Sequence, residues 1–407
     1  MKKFYNNSVY LITLAFIVSF ALLPSYGKIN PDIFIYLLFI LVCLSFIIFP
    51  EERKAIITNI KTIITKDKIF LSLIALNLLM YFSVFVAVNK STTISHSIRF
   101  SMYLFLFYLI SYKFNKNQIL RILASFLFSS IIVSFITLYQ VVNTKILGNN
   151  IDMDHRIAST LENPNNLGVY SIIVIFIFIM LFIQSKDKRS KVIYSISSIL
   201  LLFNIIVSQS RNSILALVAG LIILLFFYNK RYVLYSAILP ILLIILPQTR
   251  GRILDIFDMT QNSSRIKIWK ITEIMINNKN QLFGIGYENY SIEYPRYVES
   301  NMTYFVRESL KAQHPHNALL KFQVELGILG SIVFLSFICI CIWSFYKYIV
   351  NNLSNTNNYI YLGMFTSFIC FQIMNIIDCY YGPIKIMYSF FILLGILNNH
   401  LLESKKI

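Results

Sequence analysis

Two histidines, His314 and His316, are followed directly by Asn317 at the head of a long apolar segment, QHPHNALLKFQVELGILG, residues 313–330. Imidazole titrates near neutrality and takes a proton from a hydroxyl, so His316 is a candidate general base. Asn317 is placed either to orient that ring or to cap the helix that follows. The pair also has the alternation by which two residues of an extended loop converge on one metal ion. A metal is the weaker reading, because no cysteine or third histidine is near in sequence and His96, His155 and His400 are scattered. Glu325, nine residues after His316 in Glu-Leu-Gly, and His314 itself are supporting candidates.

Three arginines form a second set: Arg156 in HRIASTLENPNNLG, Arg211 in SQSRNSIL, and Arg265 in SSRIKIW. Arginine keeps its charge at any relevant pH and offers a planar fork of donors that matches phosphate oxygens. Each singly is explained by snorkelling or ion pairing at a membrane boundary. Beside the histidine motif they read instead as an anion-binding set.

The elements that must position these groups are membrane helices. Of 407 residues 57% are hydrophobic and 13% charged, and mean hydropathy is +0.68, the composition of a polytopic membrane protein. Continuous Leu/Ile/Phe runs, rather than short alternating segments, make the fold all-α. Spans of about 20 residues are expected at roughly 9–23, 32–49, 69–88, 98–112, 119–142, 167–184, 192–207, 212–228, 232–247, 326–346, 359–377 and 384–402, about twelve in all. Lys2 and Lys3 ahead of the first run imitate a secretory signal, but no small-residue cleavage pattern follows before Pro24, so the run is expected to be retained as a span. With no internal repeat and no linker, residues 1–407 are expected to form one membrane domain.

Charge orients the bundle. Loops 50–68, 113–118, 185–191 and 229–231 hold 13 Lys/Arg in 35 residues, whereas 24–31, 89–97, 143–166 and 208–212 hold 5 in 46. The positive-inside rule therefore predicts both termini in the cytoplasm and the longest loop, 248–325, on the outer face. No ATP is present there, so any substrate must arrive already activated. The net charge of +18 is accounted for by this anchoring and by anionic lipid headgroups, and no basic run interleaved with aromatics points to nucleic acid. Cys43, Cys339, Cys341, Cys370 and Cys379 make neither a disulfide framework nor a CxxC metal site.

The outer loop is too long and mixed to be a simple connection. From Ser263, SSRIKIWKITEIMINN places Ile268, Ile271, Ile274 and Met275 on one helical face, predicting a helix capped by Ser263 or Ser264 that lies in the outer membrane interface. Gly284 and Gly286 in FGIGYENY predict a turn with close backbone approach.

Together SQSRNSIL with Arg211 and Leu215, SSRIKIW with Arg265, GIGYENY and HPHNALLKFQVELGILG resemble the O-antigen ligase and polymerase family of bacterial cell envelopes. The stretch from Arg156 through ENPNNLG to Gly168 looks similar too, so the resemblance covers about residues 150–340. It implies an inner-membrane glycosyltransferase with no cofactor and no metal, which inverts the anomeric centre of a glycan carried on undecaprenyl diphosphate. On that resemblance Arg211 and Arg265 bind the donor diphosphate and stabilise it as it leaves, His316 assists the acceptor hydroxyl, and Arg156 is a further phosphate or glycan contact. The acceptor is lipid A-core for a ligase, which is placed first, or a lipid-linked repeat unit for a polymerase. A transporter or flippase for the same lipid-linked glycan is the competing class, and it would place ionisable groups deep in several spans.

Overall fold

The computed structural model describes residues 2–25, 30–148, 155–245, 250–251, 259–278, 281–305, 312, 314–352 and 356–404. Among these residues the fold is all-helical, without strands. The helices are α1 (Lys2–Ser19), α2 (Asp32–Ile48), α3 (Pro50–Lys66), α4 (Lys68–Phe82), α5 (Lys90–Tyr108), α6 (Lys116–Ile146), α7 (Pro164–Gln184), α8 (Lys188–Ser208), α9 (Arg211–Tyr228) and α10 (Ile238–Ile245). They continue with α11 (Met259–Asn278), α12 (Tyr290–Glu299), α13 (Ala318–Asn352), α14 (Tyr359–Ile377) and α15 (Ile384–Ser404). The most enclosed are α7, α14 and α15, with α8 and α9 packed on α7 and α5 on α15.

Nine of the described helices are long and apolar enough to cross a membrane, or ten when the bent pair α2–α3 counts as one span. The expectation of twelve is corrected at three places. In α1 the polar start KKFYNNS lowers the mean hydropathy of an 18-residue helix. The run at 32–49 ends before Pro50, which opens α3 with φ already suited to a first helical turn, and the chain bends there by 112°. The run at 232–247 is a 3₁₀ turn, Lys230–Ala237, followed by the eight-residue α10 with Pro240 inside it. The last residues of this candidate span lie outside the described ones, and in the described part the 3₁₀ turn takes up the first half of the run.

Contacts between loops define two ends. At one, Lys2 pairs with Glu51 and Lys113 with Glu52, and Asp67 accepts from Tyr112 and Asn398. At the other, Glu162 meets Ser25 N and Lys385, Asn289 meets Asn89 N, and Asn212 reaches Met374 O. The arginine and histidine motifs lie at this second end.

The loop expected at 248–325 begins and partly runs outside the described residues, but α11 and α12 build a small core with it. Ile268, Ile271, Met275, Ile285, Tyr290, Tyr294, Val298 and Val324 are buried together, and Tyr290 OH lies 2.9 Å from Thr272 Oγ1. The amphipathic face read for α11 is therefore correct in register, and the surface that covers it is protein. The helix also starts at Met259, so Ser263 and Ser264 lie inside it and do not cap it.

The glycines of GIG serve a break in α13. At Gly327 the backbone takes φ 69° and ψ −165°, and the helical ladder is interrupted. The loop between α11 and α12 repairs it: Ile285 N donates to Val324 O at 3.0 Å, Gly286 N to Glu325 O at 3.0 Å, and Ile328 N to Gln281 O at 2.8 Å. Buried backbone groups that lose helical partners must find others, and here the loop supplies them. Such proximity leaves no room for side chains. A Cβ on Gly284 would stand 2.5 Å from Val324 O, and one on Gly327 2.3 Å from Leu282 C and O. Gly327→Ala is expected to cost about 3 kcal/mol or more, from a φ/ψ region nearly exclusive to glycine plus a backbone clash. A thermal-shift assay in detergent checks this, with Gly251→Ala as the control, since nothing lies within 4 Å of that position.

Candidate active site

His316 and its partner come from two elements 62 residues apart in the chain. Asp378 ends α14, with its side chain 6% exposed, and its Oδ1 lies 2.8 Å from His316 Nδ1. Cys379 N also donates to Oδ1 at 2.9 Å, and Tyr380 OH donates to Oδ2 at 3.1 Å. Burial works against ionisation of Asp378, but the hydrogen bond and charge of His316, with further charge from His314 and Arg265, hold its carboxyl below the usual carboxylate range. A carboxylate only accepts, so the His316 proton is assigned to Nδ1 and Nε2 is left with a lone pair. His316 has φ 51°, a left-handed conformation uncommon outside glycine that the Asp378 contact helps to hold.

Asn317 does not orient this ring. Its Oδ1 accepts from Leu320 N at 3.0 Å, capping α13, and its Nδ2 donates to Ile376 O at 2.9 Å, tying α13 to the end of α14. The capping alternative is the one the structure has, and Asp378 takes the orienting place.

His314 packs edge-on to His316 with ring centroids 4.7 Å apart, and its Nδ1 accepts from His316 N at 3.2 Å. Burial, aided by the charges of His316 and Lys321 and opposed by Asp378, pushes its imidazole down to about 4. An unfolded histidine takes up its proton near pH 6.5. Between those values the unfolded chain binds more protons, so folding stability falls as pH drops from about 6.5 towards 4. His314→Gln is expected to flatten that part of the profile, read as the thermal midpoint in detergent from pH 7 to 4.

His314, His316 and Asp378 each offer one ligand atom, all within 4.8 Å of one another. The third ligand type missing from the sequence neighbourhood is thus supplied by the fold. In the observed arrangement, however, Asp378 holds the His316 ring and His314 Nδ1 holds a backbone N–H, so both contacts compete with an ion.

The two arginines meet across a cavity of about 290 Å³, lined by Arg211, Asn212, Leu215, Arg265, Ile266, Trp269 and Ile377. Arg211 is the first residue of α9, after a tight turn from α8 in which Gln209 is left-handed and Ser210 caps the new helix. Asn212 fixes that turn to α14 through Met374 O. Arg265 descends from α11, half-buried. His316 does not line the cavity but is fastened to its wall twice: Trp269 Nε1 donates to Pro315 O at 2.8 Å, and the lining residue Ile377 precedes Asp378. Two guanidinium groups on one cavity, the positive end of α9 and an aspartate-held imidazole suit an anionic leaving group beside a hydroxyl to be deprotonated.

Arg156 is placed differently. Its Nε donates to Ser208 O at 2.9 Å and an Nη to Asn165 Oδ1 at 2.6 Å, joining the start of α7 to the end of α8, and it is not in the cavity lining. Glu325 is not in the cavity lining either, and its side chain is fully buried.

Sequence reading missed Asp378, Glu288 and Lys321. Lys321 is 1% exposed, and its Nζ lies 2.5 Å from Glu288 Oε1 and 5.7 Å from the centre of the Tyr287 ring. Burial opposes ionisation of Glu288, but Lys321 overrides it and holds the carboxyl below its ordinary value. This pair braces the loop ahead of α12 against the first turn of α13. A lysine at the start of an apolar span, and an acid closing an apolar run in NIIDCYYGP, were the signals available.

Residues 196–335 match the family model described as O-antigen ligase. The chain thus carries a domain of that family, whose members are ligase- or polymerase-type membrane enzymes of surface polysaccharide synthesis. Arg211, Arg265 and His316 fall inside the matched segment, whereas Arg156 and Asp378 fall outside it. No curated protein matches the chain.

Proposed function

We propose that the protein is a metal-independent, inverting glycosyltransferase that moves a glycan from undecaprenyl diphosphate to an acceptor hydroxyl at the outer face of the bacterial inner membrane. The observation that carries this reading is the convergence of Arg211 and Arg265 on one cavity whose wall is fastened to the His316–Asp378 pair. In the step, the acceptor oxygen attacks the anomeric carbon, its proton passes to His316 Nε2, and the bond from that carbon to the diphosphate oxygen breaks. The electron pair stays on undecaprenyl diphosphate, where Arg211 and Arg265 balance the added charge. Activation is stored in the donor, so the protein contributes position and charge. Arg156 acts in this scheme by holding the turn that carries Arg211.

The acceptor placed first is lipid A-core, which makes the protein an O-antigen ligase; a lipid-linked repeat unit would make it a polymerase. Both termini are assigned to the cytoplasm, a reading supported by the basic residues Lys2, Arg53, Lys54, Lys66, Lys68 and Lys113 near the end opposite the cavity. The buried ionisable groups Asp32, Lys321 and Asp378 lie near the ends of their helices, which favours a transferase over a flippase, and the half-buried Arg99, in the middle of α5, is paired with Asp32 at 3.4 Å.

Envelope glycan analysis of a deletion strain tests the proposal. Loss of the protein is expected to leave donor accumulating on the lipid, as long chains for a ligase and with single repeats on the acceptor for a polymerase. A normal glycan profile in the deletion strain would overturn it.

A further inference from the structure

A second cavity, of about 410 Å³, adjoins the arginine cavity and shares Ile266 and Trp269 with it. Its other walls differ in chemistry. Lys270, Glu273 and Asn277 come from the exposed face of α11, with Lys270 paired to Glu273 at 2.9 Å, and Gln323 comes from the first segment of α13; no arginine is among them. Trp269 is the partition. Its indole is fixed by the hydrogen bond from Nε1 to Pro315 O, and so it is held in one orientation beside the loop that carries His316.

A pyranose ring has an apolar face of C–H groups and a rim of hydroxyls. A fixed indole matches the first, and amides, which donate and accept, with a carboxylate, which accepts, match the second. Phosphate oxygens, by contrast, favour the guanidinium side of the partition. We propose that this second cavity is a sugar subsite, taking the donor's pyranose rings nearest the diphosphate, with Trp269 as platform and Asn277 and Gln323 as hydroxyl contacts. The subsite rests on the transferase reading and deepens it. The glycan then leaves the diphosphate across Trp269, and its first glycosidic carbon lies at the partition that Pro315 joins to His316.

Asn277 is exposed and Gln323 half-buried, so both tolerate truncation better than the fixed indole. Binding is measured on the full protein in nanodiscs with two probes, farnesyl diphosphate, which has no sugar, and the lipid-linked glycan extracted from the deletion strain. Loss of two neutral hydrogen bonds is expected to weaken the glycan probe about tenfold in the Asn277→Ala/Gln323→Ala double variant, and to leave farnesyl diphosphate unchanged. Arg211→Ala is expected to weaken both. Glycan affinity within about twofold of wild type in the double variant, with Arg211→Ala still losing both probes, would overturn the subsite and leave the transferase reading standing. Full binding of both probes by Arg211→Ala would remove the reading on which the subsite rests. Equal weakening of both probes by the double variant would also overturn the subsite, since it would mark a general disturbance of the cavity.

Discussion

Replacing His316 by alanine is expected to slow glycan transfer by about 100- to 10,000-fold, the range contributed by a positioned general base. The effect belongs in the rate of the chemical step, because His316 lies outside the lining of the arginine cavity and its loss leaves the diphosphate contacts in place. Asp378→Asn is expected to fall by at least about 100-fold through a different cause. The amide can present N–H₂ to His316 Nδ1, which reverses the ring's tautomer and turns Nε2 from acceptor into donor. Single-turnover transfer with donor in excess of its Kd checks both, with the amount of folded protein measured for each variant. A double variant no slower than His316→Ala is expected, since Asp378 acts through the histidine.

Arg211→Ala and Arg265→Ala are each expected to lose about 100- to 1,000-fold, the cost of removing one fixed donor from developing negative charge. These losses differ from that of His316→Ala because ground-state affinity for the diphosphate falls too. Lysine at either position keeps the charge but not the planar fork, so Arg211→Lys and Arg265→Lys are expected to recover part of the activity. Rates and donor affinities measured together separate the two contributions. Arg156→Ala gives the contrast: with its donors on Ser208 O and Asn165 Oδ1, its removal is expected to lower thermal stability as well as transfer.

The parts of this site that were legible in the sequence were those whose residue types are out of place. Arg211 and Arg265 stand in loop stretches otherwise poor in basic residues or at their edges, and His316 stands where apolar sequence begins, so each was visible alone. Asp378 was not, because an acid in a short loop between two spans is ordinary until the fold brings it 2.8 Å from a histidine 62 residues away. Asn317 was legible as a cap but not as the tie to Ile376, which depends on where α14 ends. For the helices, apolar runs located the main spans, and Pro50 explains where one of them is cut short. The periodicity of α11 gave its inward face correctly. It could not name the surface that covers that face, since lipid and the buried side of α12 select the same residues. The glycines of FGIGYENY announced close approach, whereas their partner, the break at Gly327, needed the hydrogen bonds between Ile285 and Val324 and between Gly286 and Glu325 to be seen.

The most direct test is transfer by the purified protein in liposomes, supplied with its lipid-linked glycan and an acceptor lipid, following both the joined product and the released undecaprenyl diphosphate. The account predicts that wild type forms the two in equal amounts, also after chelation of divalent metals, and that folded Arg211→Ala, Arg265→Ala and His316→Ala form neither at a comparable rate. Movement of intact donor across the bilayer without release of undecaprenyl diphosphate, or wild-type rates in all three variants, would contradict it.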